Sequence, residues 1–178
     1  MRIFLVRHGE SEGNVIHQIN DIPHRIVNLT AWGRAQAEDA SDKLRNMPFT
    51  HAYASEFPRA QQTAAILLRH HDLPLHVDVR LNERRSGMDG QHVDRFNDFV
   101  RADYLRIKPP LGESFLEQME RLRGFLEEIA GRHPDGMALA VSHENPIVAA
   151  LALTVADPEQ VMRNSVENCG WIELEWPP

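Results

Sequence analysis

Ile3-Phe4-Leu5-Val6-Arg7-His8-Gly9-Glu10 is the stretch on which the fold turns. Four apolar residues followed at once by a cation, an imidazole and a glycine read as a buried strand of parallel-sheet type that ends on reactive side chains. In open α/β sheets, ligands bind in the crevice beyond the carboxyl ends of the strands, which is where Arg7 and His8 fall. The pairing suits phosphate. A guanidinium grips phosphate oxygens through paired N–H donors, and a neutral imidazole nitrogen can attack phosphorus. Alone, an Arg-His-Gly triplet carries little weight, because a histidine at a strand end is more often a hydrogen-bonded loop residue.

Working outward, helix and strand signals alternate. Thr30 caps a helix expected to run to about Met47, with Ala31, Ala35, Ala37, Ala40 and Leu44 as its buried stripe and Pro48 just beyond. His51–Ala54 is a short strand, Phe57 to about Arg69 a helix that tolerates Pro58 in its first turn, and Leu75–Val79 a strand. Ser114 with Glu117 forms a capping box for a helix ending near Gly131, and Pro134-Asp135-Gly136 is a turn. Met137–Val141 is a buried strand, Glu144–Leu153 a short helix and Gly170–Trp176 a last strand. This βαβ rhythm implies a three-layer α/β/α fold around a parallel sheet. The stretch from Asn82 to Pro110 fits least well. It offers one amphipathic helix, with Phe96, Phe99, Val100 and Tyr104 on a shared face, and the segment around 84–112 is expected to be a small lid or insert.

The chain has 178 residues, a formal charge of -7 and one cysteine. That length suits a single domain spanning 1–178. No apolar run is long enough to span a bilayer, and the opening stretch is too short for a signal peptide, so a cytoplasmic location is expected. Cys169 has no partner for an intrachain disulfide or a thiolate metal site. The acidic balance argues against nucleic acid or a membrane surface as partner. An anionic substrate then requires a local cluster of arginines working against the global field.

Such a cluster is present. Tyr53-Ala54-Ser55 leaves a strand, and Arg59 falls in the first turn of the next helix, where guanidinium and helix N-terminus can face one anion. Val141-Ser142-His143 repeats the ending of the first strand, so two imidazoles and two arginines can converge on one crevice. Leu81-Asn82-Glu83 adds a carboxyl.

These residues resemble the histidine phosphatase superfamily, which includes the cofactor-dependent phosphoglycerate mutases. The likeness runs in order through Arg7-His8-Gly9-Glu10-Ser11 with Asn14, Leu29-Thr30 with Gly33, Gln36 and Ala37, Ser55 with Arg59 to Ala64, Leu81, Glu83, Gly87 and Gly90, Gly112-Glu113-Ser114, and Val141-Ser142-His143. It implies a phosphoglycerate mutase-like, mostly parallel six-stranded mixed sheet with one antiparallel strand, and no metal or other cofactor. It also implies roles. His8 is the nucleophile, with its other ring nitrogen donating to the carbonyl of Gly9. Arg7, Arg59 and a protonated His143 hold the nonbridging oxygens. Glu83 protonates the leaving group and then activates water, which requires a raised pKa. Asn14 touches the phosphoryl group or the leaving portion.

Some positions depart from the family pattern. Glu144 stands where many relatives have glycine and is expected to open the last helix as a favourable first-turn carboxylate, rather than to tune His143. Met88 and Asp89 occupy the place of an aromatic residue. Arg84 and Arg85 are expected at the surface, the alternative being recognition of a second anionic group. Adjacent His70-His71 point to different helix faces, and His17, His24, His51, His76, His92 and His133 lack ligand spacing, so no metal site is expected. A phosphatase acting on a small phosphomonoester or a phosphoprotein is favoured over a mutase, because the 84–112 segment is short for a closing lid and no extended tail follows Pro178. A noncatalytic phosphate-sensing domain is disfavoured by retention of both His8 and Glu83. The identity of the leaving group and the oligomeric state stay open.

Overall fold

The computed structural model describes residues 1–162 and 164–178. In chain order it contains β1 (Arg2–Arg7), α1 (Glu12–Val15), α2 (Ala31–Leu44), β2 (His51–Ala54), α3 (Pro58–Leu67), β3 (Leu75–Val77), α4 (Val93–Val100), α5 (Phe115–Arg132), β4 (Met137–Ser142), α6 (Glu144–Ala152) and β5 (Trp171–Glu175). The strands form one sheet in the order β3-β2-β4-β1-β5. All neighbours are parallel except β1 and β5, which are antiparallel.

The strand period of two sorts β1 between two cores. Ile3 and Leu5 pack with Phe115, Leu122, Phe125, Leu126 and Ile147, which belong to α5 and α6. Phe4 and Val6 point the other way, into a cluster with Ala37, Ala40, Leu44, Ala60, Ala64 and Leu67 of α2 and α3. β4 divides likewise, Ala138 and Ala140 on the first side and Leu139 and Val141 on the second. Strands buried on both faces must be apolar throughout, which is why β1 and β4 read as unbroken hydrophobic runs. The small alanines of α2 and α3 bring the helices close to the sheet and to each other. Gly9 and Gly33 carry that close approach furthest: a Cβ on Gly9 would lie 2.4 Å from the Gly33 carbonyl oxygen.

The α/β/α layering follows the alternation of signals in the sequence, and the caps fall where expected. Thr30 caps α2 and Ser114 forms a complete capping box with Glu117. Four details differ. The sheet has five strands, not six. The sequence itself supplies only five strand-like runs, and the charged stretch after Asn82 supplies α4 and turns instead. The third strand stops at Val77 because the Asp78 side chain accepts from the Arg80 N–H and starts a 3₁₀ turn. α2 ends at Leu44 rather than near Met47, whose N–H closes a turn onto the Leu44 carbonyl. α4 ends at Val100, so Tyr104 lies beyond the helix and packs at a tilt on Phe115, while Phe99 is 44% exposed.

Leu122, fully buried between α5 and the sheet, is the larger contributor to stability; Leu122→Ala is expected to cost about 2–5 kcal/mol, and loss of the cap in Ser114→Ala about 1 kcal/mol. Urea denaturation of the two variants checks both the order and the size of these losses.

Candidate active site

The register of β1 on β4 builds the centre of the site. Arg7 lies opposite Ser142, so the next residue of each strand, His8 and His143, emerges beside the other. Their ring centroids are 5.0 Å apart and the rings are edge to face. β2 ends with Ala54 opposite Val141, and the Ser55 N–H continues the ladder onto the Val141 carbonyl at 3.0 Å. Three strand ends thus deliver side chains to one crevice. The loop before β5 clamps the first of them, with the Cys169 N–H on the Arg7 carbonyl at 3.0 Å and the Asn168 amide on that of His8 at 2.9 Å.

Arg59, in the first turn of α3, is buried against these rings. Its Nε donates to His8 Nε2 at 3.1 Å, Nη1 to Asn20 Oδ1 at 2.6 Å and Nη2 to His143 Nδ1 at 3.2 Å, and its guanidinium lies 4.4 Å from the Phe57 ring centroid. These partners settle both tautomers. The Gly9 carbonyl can only accept, so His8 carries its proton on Nδ1 and donates at 2.7 Å, which leaves the Nε2 lone pair to accept from Arg59. His143 accepts at Nδ1, so its proton is on Nε2, directed at Ser55 Oγ at 2.8 Å. Burial, then the Arg59 cation, hold both imidazoles well below the usual histidine range. Among the protein groups, burial and Arg59 thus oppose the imidazolium form of His143 that the family resemblance implies. Burial also brings Arg59 down to about 10, against the pull of Glu83 and Asp21, so it stays cationic at neutral pH.

A cavity of about 450 Å³ opens over this cluster, with Arg7, His8, Asn14, Arg59 and Glu83 in its wall. His143 is fully buried and meets the cluster through hydrogen bonds with Arg59 and Ser55 and through its ring contact with His8. Arg7 is held from one side, its Nη1 on the Val166 carbonyl at 2.7 Å and on the Glu144 carboxylate at 3.0 Å. Asn14 gives its Oδ1 to the backbone and hydroxyl of Ser11, which leaves its Nδ2 as the group able to reach a ligand.

Glu83 is half-buried and its carboxyl is raised by that burial, against the opposing hydrogen bond of the Arg84 N–H at 2.8 Å, the Arg59 charge and a hydrogen bond from Asn145. The Asn145 carbonyl oxygen accepts from the Tyr104 hydroxyl, so its Nδ2 is the donor facing Glu83. The Tyr104 ring in turn lies 4.7 Å from the Arg84 guanidinium. Arg84 is not at the surface: it is 2% exposed, stacked among Phe96, Tyr104 and Phe115, and donates to the carbonyls of Glu113 and Ile107. Arg85 does face solvent and pairs with Glu113.

Sequence reasoning placed His8, Arg7, Arg59, His143, Glu83 and Asn14 together, and the structure does so too. It did not find Asn20, Tyr104 or Asn145, nor Asp21, whose carboxylate accepts from the backbone of Ser86 and Gly87 and so ties the loop after α1 to the Glu83 loop. Tyr104 carried a signal only as an apolar residue. Asn145 carried one only as a neighbour of His143. Among the described residues no group of three or more His, Cys, Asp or Glu side chains is arranged to hold a metal ion, and no helix is long and apolar enough to cross a membrane.

Residues 3–178 match the family model of the histidine phosphatase superfamily, branch 1. The chain is 31% identical to an adenosylcobalamin/alpha-ribazole phosphatase of Salmonella typhi over 89% of this chain and 81% of that one. It is 32% identical to a 2,3-bisphosphoglycerate-dependent phosphoglycerate mutase 2 of Gloeobacter violaceus over 97% of this chain and 84% of that one. The crystal structure of the alpha-ribazole phosphatase from Shigella flexneri superimposes with a TM-score of 0.84 at 26% identity, covering 97% of this chain and 89% of that one. The two strand-end histidines, the buried arginine between them and the carboxyl at the cavity wall are thus features of a chain that belongs to the histidine phosphatase superfamily, branch 1, and is a phosphatase of that type.

Proposed function

We propose that this chain hydrolyses small phosphomonoesters without a metal, through a phosphohistidine on His8. The observation that carries this is the His8 ring itself, with Nδ1 committed to the Gly9 carbonyl and Nε2 kept as an unprotonated acceptor beside Arg59. In the first step Nε2 attacks phosphorus as the P–O bond to the leaving alcohol breaks, and Glu83 gives that oxygen its proton. In the second step water attacks the phosphohistidine, the Glu83 carboxylate takes the water's proton, and inorganic phosphate leaves. Anionic phosphoryl oxygens are stronger acceptors than ring nitrogens, so they draw the Arg59 N–H groups away from His8 and His143. Two negative charges beside His143 then favour its protonation and make it a further donor. Arg7 and Arg59 neutralise charge that a loose transition state spreads over the nonbridging oxygens.

The domain is read as one unit, with 84–112 as its lid. α4 supplies Phe96 to the cavity wall and Tyr104 follows from the same segment. The Asn14 Nδ2 is assigned to the phosphoryl group or the leaving portion. A mutase reading has the Gloeobacter relative in its favour. Efficient isomerisation of 3-phosphoglycerate with a bisphosphate primer and no free phosphate would establish it in place of the hydrolase.

Phosphate release from p-nitrophenyl phosphate with chelator present is expected for the native chain and to fall at least about 10³-fold in His8→Ala; full activity in that variant would remove the phosphohistidine. In kcat/KM, which reports the first step, Glu83→Gln is expected to cost about 10²–10⁴-fold on an alkyl phosphate and much less on p-nitrophenyl phosphate, whose leaving group needs little protonation. The pH profile follows from the signs. Glu83 acts as acid in its protonated form and its pKa is raised, so kcat/KM on an alkyl ester falls on the alkaline side as Glu83 ionises. His8, held low, stays unprotonated well into acid. The Gln variant should lose the alkaline limb and keep the acid one.

A further inference from the structure

Glu144 sets a carboxylate against one of the arginines of the cavity. It opens α6 directly after His143, lines the same cavity as Arg7, His8 and Arg59, and places Oε2 3.0 Å from Arg7 Nη1. Its other oxygen accepts from Ser165 Oγ at 2.7 Å, which fixes the carboxylate in place. Arg7 Nη1 is thereby shared between Glu144 and the Val166 carbonyl, whereas Arg7 Nε is buried and has no partner among the described residues. A guanidinium held by one Nη keeps its Nε edge for a second acceptor, and here that edge is the one with an unmet donor.

We infer that Glu144 is a charge-balancing and positioning residue of the phosphate subsite: it holds Arg7 by Nη1 with the Nε edge left for phosphoryl oxygens, and it offsets the Arg7 charge so that the product phosphate is retained weakly. This rests on the proposed assignment of Arg7, His8 and Arg59 to the phosphoryl group. The physical ground is that a dianion entering the subsite meets one cation whose charge is already partly cancelled at contact distance, and meets the cancelling carboxylate as a like charge in a partly desolvated wall. A hydrolase must release phosphate once per turnover, so moderated affinity favours the final step. The same carboxylate adds to the forces that raise Glu83.

Two substitutions separate charge from position. Glu144→Gln removes the charge and keeps a carbonyl oxygen for Arg7 Nη1; Glu144→Gly removes both. Inorganic phosphate is the probe, measured as a competitive inhibitor of p-nitrophenyl phosphate hydrolysis and, independently of turnover, by calorimetric titration of the full chain. Glu144→Gln is expected to bind phosphate about tenfold more tightly than the native chain. Glu144→Gly is expected to gain less and to lose kcat, because Arg7 is no longer held. Glu173→Gln, which removes a carboxylate from the exposed pair with Arg2, should leave phosphate affinity unchanged and so exclude a general charge effect. Unchanged or weaker phosphate binding in Glu144→Gln, with native phosphate binding intact, overturns the role given to Glu144. Absence of both binding and hydrolysis in the native chain would instead remove the phosphate subsite on which it depends.

Discussion

The pairing of β1 with β4 in parallel register is the constraint on which the rest depends. Two apolar strands buried on both faces have their side-chain alternation fixed by the two cores, and a slip of one residue would turn Ile3 and Leu5 into the wrong layer. With register so determined, the first polar residues after each apolar run have nowhere else to go. His8 and His143 are forced into contact, and Arg59 is brought against both by α3, whose alanines pack on the same sheet. Ordinary hydrophobic packing thus places the chemistry.

Burying a guanidinium here is costly unless its N–H groups are met. They are met by neutral acceptors, two imidazole nitrogens and the Asn20 amide, and not by a carboxylate. Neutral imidazoles beside a cation are also what the electrostatics demand: each is pushed away from protonation by burial and by Arg59. Arg59 therefore keeps its charge without a carboxylate hydrogen bond, and the His8 Nε2 lone pair stays unprotonated, as the proposed phosphohistidine chemistry requires. Glu83 stands apart from this logic. Its carboxyl is oriented by a backbone N–H and by Asn145, which Tyr104 orients in turn, so the acid is tied to the segment that folds over Arg84.

What could be read from the sequence and what could not divides along a physical line. Arg7-His8 and Ser142-His143 were legible because each follows an unbroken apolar run, and Arg59 because it sits one turn into a helix whose start Pro58 marks. Glu83 was legible as a carboxyl just after an apolar segment, and its acid role only through its place in the family's order of motifs. Asn20, Tyr104 and Asn145 were not, since each acts through a partner that only tertiary packing supplies and none lies at a strand end. Arg84 was misread as a surface residue for the same reason: nothing local shows that Phe96, Tyr104 and Phe115 close around it. The sequence also hides what opposes the imidazolium form of His143, since Arg59, at contact distance in the fold, is far away in the chain. The sixth strand came from the family likeness and had no apolar run behind it.

β1 is flanked on both sides by strands from far downstream, since Arg2 pairs with Met137 and with Glu175. The helices α2 and α3 can gather around β2 and β3 earlier in synthesis, but the strand that carries Arg7 and His8 has no neighbour in the sheet until β4 and β5 have been made. Non-local pairing of this kind is slow to form and is settled late. A partly made or partly opened chain can then hold much of its helical structure while the crevice at the ends of β1 and β4 does not exist. Competence of the crevice then reports on completion of the sheet, and a nascent chain carrying His8, the proposed nucleophile, is expected to be chemically silent.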